Sequence, residues 1–187
     1  DSEVAYTDNE IGKLFAAFPR ENAIVLFVAD HGESLHEHDY RGHGRRVYQD
    51  NIHVPLIIRG PGVTPGRTKA PVRLIDVAPT LLSLAGLPPI EDMLGVDLLK
   101  TEIPADRTRV IETYGGAVPG VPGAKAVMAA RPPMRQSVTK GEWKLIIGGP
   151  GPELFNITAD PGELKNLIDK EKPRAAEMRA LIEEWDA

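Results

Sequence analysis

The sequence predicts an α/β fold followed by a small antiparallel sheet packed with a helix, and three observations carry that prediction. The run Ala23-Ile24-Val25-Leu26-Phe27-Val28-Ala29 is apolar throughout and of strand length, as expected of a strand buried on both faces of a parallel sheet. Helical segments lie before it and after a second apolar strand, which is the rhythm of a layered α/β domain. Beyond about residue 105 the texture changes to short strands joined by tight turns.

In chain order, residues 3–18 place Val4, Ile11, Leu14, Phe15 and Phe18 at helical spacing, and Pro19 ends the run. The apolar strand then stops abruptly at Asp30-His31-Gly32, so polar residues sit at its carboxyl end. A histidine-rich polar loop leads to the second strand, Val54 to Ile58, closed by Gly60-Pro61-Gly62. Residues 75–85 read as a helix, with Pro79 near its first turn and Gly86 where a C-terminal capping glycine belongs. A short strand follows at 109–114, then a Gly/Pro-rich loop. Gln136 to Thr139 and Trp143 to Ile147 flank Lys140-Gly141 as a hairpin, and Glu153 to Asn156 is a third short strand. A terminal helix over about 171–186 sets Ala175, Met178, Leu181, Ile182 and Trp185 on one side. The expected division is an α/β part over 1–105 and a C-terminal module over 106–187.

Composition narrows the function. The chain is 42% hydrophobic and 26% charged with a net charge of -5, which argues against nucleic acid or an anionic membrane as the main partner. No run approaches the roughly 20 apolar residues that span a bilayer. There are no cysteines, so disulfides, thiolate metal sites and a Cys nucleophile are absent from these residues, and the redox compartment stays open. The first residues lack a signal peptide's basic and apolar regions. A secreted protein relieved of its leader would look the same, so localisation stays open too.

The chemistry concentrates in one stretch. All five histidines, at positions 31, 36, 38, 43 and 53, fall within 23 consecutive residues that also hold Asp30, Glu33, Glu37 and Asp39. A solvated polar loop accounts for His36 and for His53, which merely precedes a strand. It accounts poorly for Asp30-His31, because open α/β sheets place their ligands at the carboxyl ends of strands. A carboxylate and an imidazole side by side are candidate metal ligands.

The ordered set of motifs resembles the sulfatase family of the alkaline phosphatase superfamily. It runs through Asp30-His31-Gly32-Glu33, Glu37-His38, Gly42-His43-Gly44, Val54-Pro55-Leu56-Ile57-Ile58-Arg59-Gly60-Pro61-Gly62 and Leu74-Ile75-Asp76-Val77-Ala78-Pro79-Thr80. Trp143-Lys144-Leu145-Ile146, Glu153-Leu154-Phe155-Asn156 and Asp160-Pro161-Gly162-Glu163 look like the family's C-terminal subdomain. The resemblance implies an alkaline-phosphatase-like layered sheet with flanking helices and a sulfuric ester hydrolase with one divalent cation, usually Ca2+, with Mn2+ or Zn2+ as alternatives. It implies Asp30 and His31 as metal ligands and His43 as the catalytic and substrate-binding group beside the leaving oxygen. His38 and Arg41 are weaker substrate-binding candidates, each as readily an exposed loop residue. Arg45 and Arg46 suit an anionic pocket or a solvated surface equally. The loop 115–135 is a candidate wall of the substrate pocket.

Several parts of the family pattern are missing: the nucleophile, the Lys and His that flank it, and the two N-terminal aspartates that complete the family's metal site. The nucleophile there is a formylglycine made within a Cys/Ser-x-Pro/Ala-x-Arg motif, and Ser2, Ser34, Ser83 and Ser137 all fail it. The resemblance therefore implies the C-terminal portion of a sulfatase, inactive alone, whose partner is an upstream segment of the same protein or a second copy. For the family a periplasmic or secreted location is expected. Two other functions remain open: a phosphodiesterase, phosphonate hydrolase or phosphatase of the same superfamily, and a non-catalytic metal- or carbohydrate-binding module.

Overall fold

The computed structural model describes residues 2–18, 22–115 and 133–186, so most of the expected pocket-wall loop lies outside the described residues. The chain groups into two compact units that interleave in sequence: 1–28, 56–67 and 75–101 in the first, 29–55, 68–74 and 102–187 in the second.

The first unit begins with helix α1, Ser2–Ala17. Ile11 and Phe15 are half-buried, whereas Val4, Tyr6 and Leu14 are exposed. Strand β1, Val25–Val28, pairs antiparallel with Leu56–Arg59, in register from Val25↔Arg59 to Val28↔Leu56. This corrects the expected parallel pairing. Among the described residues β1 has a single strand neighbour, and Phe27 and its cross-strand partner Ile57 are 40% and 60% exposed. The second strand starts at Leu56 rather than Val54, because Pro55 has no N–H to give a ladder.

After a 3-10 turn, Leu74–Asp76, comes an α-helix over Val77–Leu84. It ends as expected: Gly86, at φ 69°, donates its N–H to the Ser83 carbonyl, and Leu87 donates to that of Leu82. That is the Schellman pattern, which needs a left-handed residue that glycine adopts without strain. The buried Asp76 carboxylate accepts the Val96 N–H at 3.0 Å. The Thr80 hydroxyl donates to the Asp76 carbonyl and accepts from Leu98, fastening the segment after the helix to its first turn.

The second unit is built on a four-stranded antiparallel sheet of Arg109–Thr113, Arg135–Lys140, Trp143–Gly148 and Glu153–Asn156, in that spatial order. Successive side chains in a strand point to opposite faces, and here both faces are covered. Val138, Leu145 and Leu154 pack with Met178 and Ile182 of the terminal helix, Lys172–Asp186. On the other face Ile146 and Phe155 pack with Val47 and Tyr48. Each large apolar side chain so buried contributes about 1.5–3 kcal/mol. Trp185 departs from the expected buried stripe, being 47% exposed near the helix end.

An ion pair with both partners fully buried lies inside this unit. Lys144 Nζ is 2.6 Å from Glu163 Oε1, with both side chains buried. Burial pushes the Lys144 ammonium below the usual lysine range, and the Glu163 carboxylate opposes that shift. Among the described residues no helix is long and apolar enough to cross a membrane.

Candidate metal centre

The site belongs to the second unit and is assembled from one short stretch of chain. Past β1 the backbone turns at Gly32, whose N–H donates to the Asn51 carbonyl at 2.8 Å. A Cβ at this glycine would collide with the Asp50 carbonyl oxygen, so the close approach of 30–34 to 49–51 requires glycine. Ser34 and Leu35 (β2) then pair with Arg41 and Gly42 (β3) in a minimal hairpin, Ser34 opposite Gly42. Its turn carries three non-glycine residues at positive φ, His36, His38 and Asp39. The Leu35 N–H is held by Glu37 Oε2, and the Tyr40 N–H by the Glu37 carbonyl. This pairing sets Glu33 beside His43, ten residues on.

His43 Nδ1 and Glu33 Oε2 are 2.9 Å apart, and the His31 and His43 rings stack with centroids 4.0 Å apart. His31 Nδ1 lies 2.8 Å from the Gly32 carbonyl oxygen. A carbonyl and a carboxylate only accept, so both histidines carry hydrogen on Nδ1, and in the neutral ring Nε2 is the free lone pair. Ligand atoms of His31, Glu33 and His43 all lie within 4.8 Å of one another. All three side chains are accessible, at 43%, 48% and 50%. Asp30 borders this group: its Oδ1 accepts the His31 N–H and its Oδ2 lies 3.6 Å from His31 Nε2, on a side chain 89% exposed.

The remaining sequence candidates sit differently. His38 stacks face to face on Tyr48, with centroids 3.6 Å apart, and is half-buried. Burial, with the Glu153 carboxylate accepting the phenol hydrogen at 2.7 Å, pushes the Tyr48 pKa up to about 12. Arg41 projects from β3 into solvent, and His36 and His53 are exposed. Arg46 lies over the Tyr40 ring, whose hydroxyl donates to the His43 carbonyl at 2.7 Å. Glu33 is the residue that sequence reasoning gave no role. Its signal was its place in the Asp30-His31-Gly32-Glu33 run, and only the β2–β3 pairing reveals what it faces.

Residues 33–35 are anchored from behind. The Ser34 hydroxyl donates to an Asp50 carboxylate oxygen and accepts from Asn51 Nδ2 at 2.6 Å, with Ser34 and Asn51 buried. Imidazole nitrogens and carboxylate oxygens are both ligand types that Zn2+ and Mn2+ accept. Calcium takes six to eight oxygen ligands, and Glu33 and Asp30 are the carboxylates this cluster offers.

The chain is a mixed α/β protein with imidazole and carboxylate groups clustered beyond a strand end, and comparison with known proteins specifies the family. Residues 1–87 match the sulfatase family model. The chain is 32% identical over 193 residues to choline-sulfatase of Rhizobium meliloti (strain 1021), covering 97% of this chain and 34% of that protein. It is 30% identical over 185 residues to arylsulfatase K of Gallus gallus, covering 89% and 32% respectively. Among solved structures it is similar to BT4656 in complex with its substrate D-glucosamine-2-N,6-O-disulfate, at TM-score 0.69 and 26% identity over 97% of this chain and 38% of that one. Along nearly its whole length the chain is similar to a C-terminal portion of sulfatases, and it has their alkaline-phosphatase-like fold. It spans about a third of the length of the curated relatives it matches.

Proposed function

We propose that this chain supplies the cation-binding and leaving-group side of a sulfuric ester hydrolase. The observation that supports the reading is the convergence of His31, Glu33 and His43 to within 4.8 Å, in a chain whose motifs follow the sulfatase order. In this reading His31, Glu33 and the adjoining Asp30 hold one divalent cation. A cation bound there withdraws negative charge from the sulfate oxygens. Glu33 holds the His43 ring through Nδ1, which leaves Nε2 to meet the ester and, when protonated, to pass a proton to the departing alcohol oxygen. Arg41 is an exposed cation suited to meeting an anionic substrate. His38 is engaged by Tyr48 and serves the loop's shape instead.

No Cys/Ser-x-Pro/Ala-x-Arg motif occurs within these 187 residues, so the reading assigns the formylglycine to another stretch of the polypeptide and no turnover to the chain alone. The exposed Phe27–Ile57 pair supports the same assignment. A two-stranded sheet is marginal by itself, and strands from that other stretch would cover this face. A periplasmic or secreted location accompanies the reading. The substrate class is a sulfate monoester.

The test is hydrolysis of aryl sulfate and choline sulfate by a polypeptide joining this chain to a formylglycine-bearing segment. His43→Ala is expected to lower kcat by about a hundredfold or more, with the isolated 187 residues silent. Robust turnover by the isolated chain, or full activity in His43→Ala, would sink the proposal. Preference for a phosphonate ester would move it to the sister hydrolases.

A further inference from the structure

The buried Lys144–Glu163 pair sits at the start of an unbroken line of contacts that ends at the candidate metal centre. Glu163 adopts a positive φ of 53° at the end of the Asp160-Pro161-Gly162 turn, which aims its carboxylate inward. One oxygen faces Lys144 Nζ at 2.6 Å, and the other accepts the Gln49 backbone N–H at 2.6 Å. Gln49 is the first residue of the short helix Gln49–Ile52. The next two residues of that turn hold the site loop: Asp50 accepts from Ser34, Asn51 Nδ2 donates to Ser34, and the Asn51 carbonyl accepts the Gly32 N–H. Gly32 and Ser34 bracket Glu33, and Gly32 follows His31.

We propose that Glu163, held by Lys144, is a positioning residue of the C-terminal module that fixes the 49–51 turn and through it the placement of His31 and Glu33. A buried ion pair is weak evidence for a stabilising device, since an apolar pair of similar volume often serves folding as well. An apolar pair cannot accept the Gln49 N–H. The carboxylate does both things at once: it pairs with the Lys144 charge and accepts the N–H of the turn that backs the metal loop. This inference rests on the proposed metal reading only for its consequence, because the positioning itself is readable without metal.

The experiment uses the whole 187-residue chain as wild type, Glu163→Ala and the double variant Lys144→Met/Glu163→Leu. Amide hydrogen exchange is followed at Gly32 and Gln49 and, as reference, at Val138 and Leu145 of the central strands. Zn2+ titration calorimetry is run in parallel. In both variants exchange at Gly32 and Gln49 is expected to rise about tenfold or more while the reference amides keep their protection. Zn2+ affinity is expected to fall about tenfold to a hundredfold. The double variant guards against an uncompensated Lys144 unfolding the single one. Unchanged Gly32 protection in a folded variant overturns the proposal, as does a rise of equal size at Gly32 and in the central strands, which would mean general destabilisation. Failure of the wild type to bind Zn2+ counts against the metal reading, and the amide result still decides the positioning role.

Discussion

The two sheets of this molecule are opposites in how they use apolar residues. The Val25–Val28 and Leu56–Arg59 strands hold the more hydrophobic sequence, yet Phe27 and Ile57 face solvent together. The Arg135–Lys140 strand is far more polar, Arg-Gln-Ser-Val-Thr-Lys, yet its first five residues are buried. The difference teaches that burial belongs to the neighbours an element acquires. The four-stranded sheet has a helix and Met178 and Ile182 on one face, with Val47 and Tyr48 on the other. Its polar groups are then tied into specific pairs, such as Lys144 with Glu163 and Gln136 with Glu112.

Substitutions can break or sharpen this contrast. The largest effect is expected for Leu145→Ala, fully buried in the second unit, at about 2–5 kcal/mol lost in urea unfolding. Next is Gly32→Ala, where the added methyl meets the Asp50 carbonyl: about 2 kcal/mol or more, with loss of the Zn2+ calorimetric signal. Tyr48→Phe removes a hydrogen bond to a carboxylate and should cost about 1.5 kcal/mol at neutral pH. Its pH dependence has a definite sign. The folded Tyr48 pKa, about 12, lies above the ordinary 10.0, so its contribution is complete below pH 10 and is lost as pH rises through 12. Alkaline unfolding curves of wild type and Tyr48→Phe should converge across that window, and curves that stay parallel would contradict it. Ile57→Ala, on the exposed face, should cost less than about 1 kcal/mol. A cost matching that of Leu145→Ala would erase the comparison. Smallest is Lys13→Ala, which removes an exposed pair with Glu10 and should shift stability by no more than about 0.5 kcal/mol.

Much of this was legible from residue order because it is local. The C-terminal hairpin, the Glu153–Asn156 strand and the terminal helix follow from alternation, a glycine turn signal and helical spacing, each of which acts within a few residues, although the turn falls at Gly141-Glu142, one residue past the expected Lys140-Gly141. The capping role of Gly86 was legible for the same reason, since a left-handed backbone step at a helix end selects glycine. Strand direction was not. An apolar β-branched run says that a strand forms and says nothing of which way its neighbour runs, and the neighbour of Val25–Val28 is antiparallel.

The candidate site divides along the same line. The sequence by itself determined that imidazole and carboxylate groups crowd between residues 30 and 43, because composition and spacing are properties of the chain alone, and the roles of Asp30, His31 and His43 are what the resemblance to sulfatases implies. Only the tertiary structure decided that Glu33 faces His43, that His38 is occupied by Tyr48, and that Glu163, more than a hundred residues away, holds the turn behind the loop. Hydrogen bonds and ring contacts reach only a few ångströms. Which groups come within that reach is settled by how strands pair and turns pack, and a linear spacing does not specify it.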